Sequence, residues 1–190
     1  MDLPPSPIII ELAQCGLGRS GLSVAFDDLL QEEVVTISAS AGAAESMFPC
    51  IRKVVWGKTG IVFDNKNLAE AYQQYSEQTS KQEVRETAWS WMKDRGLLDR
   101  LPEFSTGVAP RDVARAIERF CGLTPGTAFE FYTPQSLTFK PDFLKKNLEQ
   151  HTMNTECLFH TLALVDLDKL GISFGFIGNE ATNEHDENRK

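Results

Sequence analysis

The sequence lacks several features that would assign it to a large class of proteins. No apolar run approaches the roughly 18–20 residues that a membrane-spanning helix needs. Residues 1–5 contain no positive segment followed by an apolar one, so we expect neither a membrane anchor nor a signal peptide. The chain has only three histidines, and its four cysteines show no C-x-x-C spacing. We therefore expect no structural metal site.

The cysteines Cys15, Cys50, Cys121 and Cys157 are spread widely along the chain. A chain of this length buries about 70 % of its unfolded surface and can build a core without covalent cross-links. Disulfide frameworks are typical of much smaller secreted domains. The sequence therefore predicts four free thiols in a reducing compartment, and hence a cytoplasmic protein.

Basic residues are also in deficit. The chain has 19 Lys and Arg against 27 Asp and Glu, which gives a net charge of −8. Phosphate backbones require a surplus of Lys and Arg, so this balance argues against a nucleic-acid-binding protein. It fits a basic protein partner, which an acidic surface attracts and steers. Solubility alone would account for the same charge.

The pattern of apolar residues predicts an irregular alternation of strands and helices. Ile-rich and Val-rich runs bounded by Pro and Gly are typical of strands, and apolar residues at helical spacing indicate helices. The predicted strands are 7–14, 34–39, 54–56, 61–63, 128–132, 136–139, 158–165 and 172–177. The predicted helices are 22–32, a segment capped by Asn65 or Asn67 and ending near 79, 80–95, 111–121 and 141–150.

Two of these strand pairs, 54–56 with 61–63 and 158–165 with 172–177, are separated by turn residues and read as hairpins. The sequence therefore predicts an α+β (or mixed α/β) fold, with one predominantly antiparallel or mixed sheet and several helices packed on it. A single globular domain is expected over residues 1–178, followed by a disordered, polar tail over residues 179–190. No internal repeat is evident.

The most suggestive motif is a glycine-rich loop. Gly16, Gly18 and Gly21 match G-x-G-x-x-G after a predicted strand and before a predicted helix, the context in which backbone N–H groups bind a pyrophosphate. Arg19 would add positive charge. The following strand carries no acidic residue for a ribose hydroxyl, and a turn that needs positive φ accounts for the same glycines.

Arg111, Arg115 and Arg119 recur every four residues on one predicted helix. Such a stripe fits phosphates or an acidic partner, but Asp112 and Glu118 interrupt it. A solvated face with local ion pairs therefore explains the same pattern.

Trp89 and Trp91 are two residues apart and cannot share one helical face. We therefore expect one of them to be exposed or at an interface with a partner.

Three further residues are candidates for chemistry. Asp166 and Asp168 follow a predicted strand, where two carboxylates can hold a divalent cation, although Asp is also common in ordinary turns. His160 falls on an apolar face, where a hydrogen-bonded core histidine is the ordinary interpretation. No serine or cysteine can be paired with a histidine and an acid by spacing.

These observations favour a binding protein over an enzyme, with no cofactor. The hypothesis is a small acidic cytoplasmic protein of the inhibitor or immunity type that neutralises one basic protein partner. The first alternative is an enzyme or sensor that binds a phosphate-bearing ligand or nucleotide in the loop 16–21. The second is a structural subunit that is stable as a homo-oligomer.

Overall fold

The computed structural model describes residues 6–148 and 152–175. It confirms the α+β class. The chain divides into two compact units, Met1–Ser80 and Lys81–Lys190. That the chain forms one domain over 1–178 stays a prediction, and the predicted tail 179–190 lies outside the described residues.

The N-terminal unit contains a three-stranded mixed sheet with strand order β1-β2-β3. β1 and β2 form an antiparallel hairpin, and β3 pairs in parallel with β2. The elements, in chain order, are α1 (Pro7–Gln14), β1 (Leu22–Asp27), β2 (Glu32–Ile37), α2 (Phe48–Val55), β3 (Gly60–Phe63) and the first part of α3 (Lys66–Asp94). Apolar side chains from α1, α2 and the sheet form the core, with Leu12, Val35 and Ile51 fully buried.

The C-terminal unit contains a second three-stranded mixed sheet with strand order β4-β5-β6. β4 and β5 form an antiparallel hairpin, and β6 pairs in parallel with β5. After the rest of α3, the elements are α4 (Pro110–Phe120), β4 (Phe129–Thr133), β5 (Ser136–Phe139), α5 (Pro141–Leu148), α6 (Met153–Leu164) and β6 (Ser173–Phe174). The core contains Met92, Ile117, Leu137 and Leu158, all fully buried.

The two units repeat one order of elements. Each contains a proline-started helix, α1 or α4, whose C-terminal cap is a cysteine followed by glycine and leucine, at residues 15–17 and 121–123. An antiparallel hairpin follows, then a helix that carries the second cysteine, then a strand parallel to the second strand of the hairpin; the C-terminal unit has α5 as an additional helix before the cysteine-bearing one. The expectation of no internal repeat is therefore wrong. The repeat escapes notice in the sequence because little beyond Cys-Gly-Leu is shared.

The predicted free thiols are also wrong. Cys15 bonds to Cys50 and Cys121 to Cys157, and no cysteine is free. The pairs are 35 and 36 residues apart in sequence, and the shared arrangement of helices brings each pair together. Closing a loop of this length stabilises a fold by about 4 kcal/mol in the chain-entropy model. The inference of a reducing compartment rested on free thiols and loses that basis.

Several predicted elements have the other secondary structure. Residues 7–14 and 158–164 lie in helices, 22–27 form a strand, and 54–55 end α2 rather than form half of a hairpin. The two helices expected on either side of residue 80 are one helix, α3. The expected single sheet is two sheets in the part of the chain that the structure describes.

Candidate functional site

The glycine-rich loop has the reverse of the context that a dinucleotide site requires. Helix α1 precedes it and strand β1 follows it. Two of its glycines are required by the local structure. Gly16 has φ +95°, and a Cβ on Gly21 would lie 2.1 Å from the backbone nitrogen of Ala41. Arg19 is exposed. A phosphate site here stays a prediction, without the helix N-terminus that was expected to support it.

The hairpin between β1 and β2 carries the most unusual surface of the N-terminal unit. We call residues 26–33, Phe-Asp-Asp-Leu-Leu-Gln-Glu-Glu, the hairpin tip. Two Asp, two Glu and no Lys or Arg give it a charge of −4. Leu29 is 94 % exposed, Leu30 61 % and Phe26 59 %. Isolated exposed apolar residues are ordinary, but three large ones within five positions are a concentration that suggests an interface.

The backbone of the hairpin tip is held in place by its own polar groups. The Asp27 carboxylate accepts hydrogen bonds from the backbone N–H groups of Leu29 (2.8 Å) and Leu30 (3.0 Å). The side-chain amide of Gln31 donates to the carbonyl of Asp28 (2.6 Å). Gln31 itself has φ +55°, a conformation that is unfavourable for most side chains other than glycine. The two leucines are therefore presented by a defined turn.

The charges of the hairpin tip do not serve the stability of the sheet. Asp27 lies directly across the ladder from Glu32, and like charges in directly opposed positions destabilise a strand pair. The equivalent tip of the C-terminal unit, residues 131–136, contains no charged residue. The shared architecture therefore does not demand an acidic tip, which makes it a candidate binding surface.

In the C-terminal unit, two of the three arginines in the predicted stripe line a cleft of about 280 Å³. Arg111 and Arg115 lie along one wall, and Lys140 at the end of β5 is the third cationic residue of the lining. Ala114, Phe129 and Phe131 supply its apolar surface. Arg119 is exposed on the same helix and does not line the cleft.

Glu118 has a different function from the local ion pair that the sequence suggested. Its side chain is fully buried. Its carboxylate accepts hydrogen bonds from the backbone N–H groups of Ala128 (2.7 Å), Phe129 (3.2 Å) and Gly126. One buried acid therefore fixes the loop that leads into β4 and forms one side of the cleft.

The two tryptophans differ in exposure, as their spacing on one helix requires. Trp91 packs against the core of the C-terminal unit, with the Arg95 guanidinium 4.0 Å from its ring centroid and the His160 ring 4.6 Å away. Trp89 is 49 % exposed, with the Lys93 ammonium 4.9 Å from its ring. A partner surface at either tryptophan stays a prediction.

The remaining candidates have structural partners. Asp166 forms a salt bridge with Lys169 (2.8 Å), and the hydrogen bond from that lysine lowers the pKa of the Asp166 carboxyl. The His160 ring packs against Trp91, and burial lowers the pKa of this histidine. Within residues 6–148 and 152–175, no three His, Cys, Asp or Glu side chains are grouped so that they could hold a metal ion.

Sequence reasoning missed the hairpin tip because residues 22–32 were assigned to a helix. A pair of leucines between Asp-Asp and Glu-Glu, flanked by apolar runs, was the available signal. It also missed Phe129, Phe131 and Lys140, which β4 and β5 bring to Arg111 and Arg115.

Comparison with known proteins gives no further assignment. No protein-family model, no curated protein and no solved structure matches this chain. Among the described helices, none is both long and apolar enough to cross a membrane.

Proposed function

We propose that this chain is a binding protein that engages one basic protein partner through the hairpin tip. The observation that carries the proposal is the pair Leu29 and Leu30, exposed to solvent on a defined turn and flanked in sequence by four acidic residues. A partner that fits this surface has an apolar pocket rimmed by Lys or Arg. An inhibitor of the immunity type, which blocks a basic enzyme or toxin, is the form of this function that the charge favours.

The energetics of the tip support a binding function. Fully burying a leucine side chain is worth about 1.5–3 kcal/mol, and this chain leaves two adjacent leucines exposed. That stabilisation becomes available when a partner covers them. The surrounding carboxylates then act mainly on the rate and the specificity of association, because attraction between opposite charges steers the encounter.

The two disulfides bear on where the interaction takes place. Disulfides persist in oxidising environments and are rare in the cytosol. We therefore place the binding protein and its partner in an oxidising compartment, which replaces the cytoplasmic location expected from the sequence. Thiol labelling of the native protein tests this placement, since no labelling is expected without a reductant.

Affinity capture from an extract of the source organism tests the proposed function. The baits are the unmodified chain, the double variant Leu29→Ser/Leu30→Ser, and the control Val84→Ser, which removes an apolar side chain that is 56 % exposed on α3. One basic protein should be retained at near-equal stoichiometry by the unmodified and control baits and lost with the double variant. Retention of the same proteins by all three baits would contradict the proposal.

The electrostatic part of the proposal has its own matched pair. Asp28→Lys and Asp99→Lys change the net charge equally, and both positions are exposed. Only Asp28 lies in the hairpin tip. Asp28→Lys should slow association with the captured partner and reduce its salt dependence, whereas Asp99→Lys should change both much less. Equal effects of the two variants would show that net charge, rather than the tip, attracts the partner.

A further inference from the structure

The cleft beside α4 combines positive charge with an apolar wall. Arg111, Arg115 and Lys140 contribute +3, and Glu118 and Glu130 contribute −2, so the lining has a net charge of +1 in a chain of net charge −8. Pockets that bind small molecules combine an apolar lining with a few polar groups that fix orientation. The cleft has this composition, in a chain whose net charge is negative.

The two arginines are available to a ligand. They are four residues apart and therefore neighbours on one helix face. Among the described residues, neither guanidinium takes part in a salt bridge or a side-chain hydrogen bond. Two acids lie on this helix: Glu118 is turned inward to the backbone of residues 126–129, and among the described residues Asp112 forms no salt bridge with either arginine. The ion pairs that would neutralise a solvated arginine stripe are thus not formed at this face.

The opposite side of the cleft is preorganised. The Lys140 ammonium donates a hydrogen bond to the Gly126 carbonyl (2.5 Å), and Glu118 holds the amide of the same glycine. Phe129 is buried, and Phe131 is partly buried beside it on β4. A ligand would meet a fixed ammonium and a fixed aromatic wall, so little ordering is required on binding.

Comparison of the two units shows that the fold does not require this chemistry. Counted back from the capping cysteines, Leu12 of α1 corresponds to Glu118 and Ile9 corresponds to Arg115. Leu12 and Glu118 are both fully buried. The same architecture is therefore built in the N-terminal unit with apolar residues at both of these positions, so the fold does not require the charges of Arg115 and Glu118.

We propose that this cleft binds a small aromatic anion, in which a carboxylate or phosphate group is attached to a single ring. The anionic group would lie between the two guanidinium groups and Lys140, since arginine forks match the geometry of both oxyanions. The ring would pack on Phe129 and Phe131. The cleft volume admits about one ring with its anionic group, because sites for larger ligands begin near 300 Å³.

Calorimetric titration with phenyl phosphate and with benzoate tests the proposal and distinguishes the two anions. At least one should bind with a Kd of about 1 mM or tighter. Benzyl alcohol, which lacks the charge, and inorganic phosphate, which lacks the ring, should each bind about tenfold more weakly. No binding of either aromatic anion, or equal binding of benzyl alcohol, would overturn the proposal.

Three arginine variants locate the site. Arg111→Ala and Arg115→Ala should each weaken binding about tenfold. Arg119→Ala is the matched control, because Arg119 lies on the same helix outside the cleft, and it should leave the Kd within about twofold. Equal losses of affinity in all three variants would show that the anion is held by general charge attraction and would overturn the proposal that it binds in the cleft. The outcome is independent of the hairpin tip, which lies in the other unit.

Discussion

Replacing Glu118 by glutamine should destabilise the C-terminal unit although the two side chains have nearly the same shape. The carboxylate accepts three backbone hydrogen bonds, two at one oxygen from Ala128 and Phe129 and one at the other from Gly126. The single side-chain oxygen of glutamine can replace only one of these two acceptors. The NH₂ group would then face a backbone N–H, and two donors cannot form a hydrogen bond.

The magnitude follows from these bonds. Hydrogen bonds to charged groups contribute about 1.5–3 kcal/mol each, and neutral ones about 0.5–1.5. Glu118→Gln loses one charged bond outright and weakens two. Relief of the cost of burying a charge offsets part of that loss, so we expect a decrease of about 2–4 kcal/mol in the free energy of unfolding.

Urea unfolding of the C-terminal unit measures this change, with hydrogen exchange of the Ala128 and Phe129 amides as the local readout. The control is Glu130→Gln, the same replacement at a partly exposed position on the cleft, which should stay within about 0.5 kcal/mol of the unmodified protein. If Glu118→Gln were as stable as Glu130→Gln and its amides as protected, the buried carboxylate would not hold the loop.

The remaining predictions concern the disulfides, one histidine and the glycine loop. Replacing both cysteines of either disulfide with alanine should lower the free energy of unfolding by about 4 kcal/mol, measured by denaturant titration, and an unchanged midpoint would contradict the pairing. The pKa of His160 is lowered from 6.5, mainly by burial; the charge of Glu156 offsets part of this decrease, and the charge of Arg95 adds to it. Below about pH 6.5 the unfolded state therefore binds more protons than the folded state, and the free energy of unfolding falls as the pH decreases. The melting temperature of His160→Gln should fall less over the same pH range than that of the unmodified protein, and an identical pH dependence of the two proteins would refute the prediction. Gly21→Ala should cost about 3 kcal/mol or more because its Cβ would overlap the backbone at 2.1 Å, whereas Gly18→Ala, whose nearest contact is 3.3 Å, should cost less than about 1 kcal/mol; equal melting temperatures would show that the loop yields.

Local signals in the sequence predicted the elements that have clear boundaries. The helix 111–121, the strands 34–39, 61–63, 128–132 and 136–139, and the helix beginning at 141 all correspond to elements of the structure within a few residues. Asn65 caps α3 as expected, by accepting from two backbone N–H groups, and Gly96 ends that helix with φ +63°. Caps and glycine stops are local, so they can be read without knowledge of the fold.

Errors arose where tertiary contacts decide between helix and strand. The Ile run of residues 8–10 has high strand propensity, but Pro7 starts a helix there and the Cys15–Cys50 disulfide fixes its end. Residues 158–164 lie in α6 because Thr152 caps that helix and Cys157 ties it to Cys121. Propensity is a weak prior that such contacts override.

The candidate sites were predictable only in part. Arg111 and Arg115 stood out by their spacing, but their partners Phe129 and Lys140 reach the cleft through β4 and β5. The hairpin tip depends on the strand assignment of residues 22–27. Once those residues form β1, the exposure of Leu29 and Leu30 follows from the turn between β1 and β2.

Site-specific photo-crosslinking tests whether the hairpin tip is the partner-binding surface. A photoreactive residue is placed at Leu29 in one sample and, as a control, at Val62, which is 50 % exposed on β3 of the same unit, and both are irradiated in an extract of the source organism. We expect one discrete adduct with a basic protein from position 29, lost at high salt, and none from position 62. Adducts of equal yield from both positions, or no adduct from position 29, would show that the hairpin tip does not bind the partner.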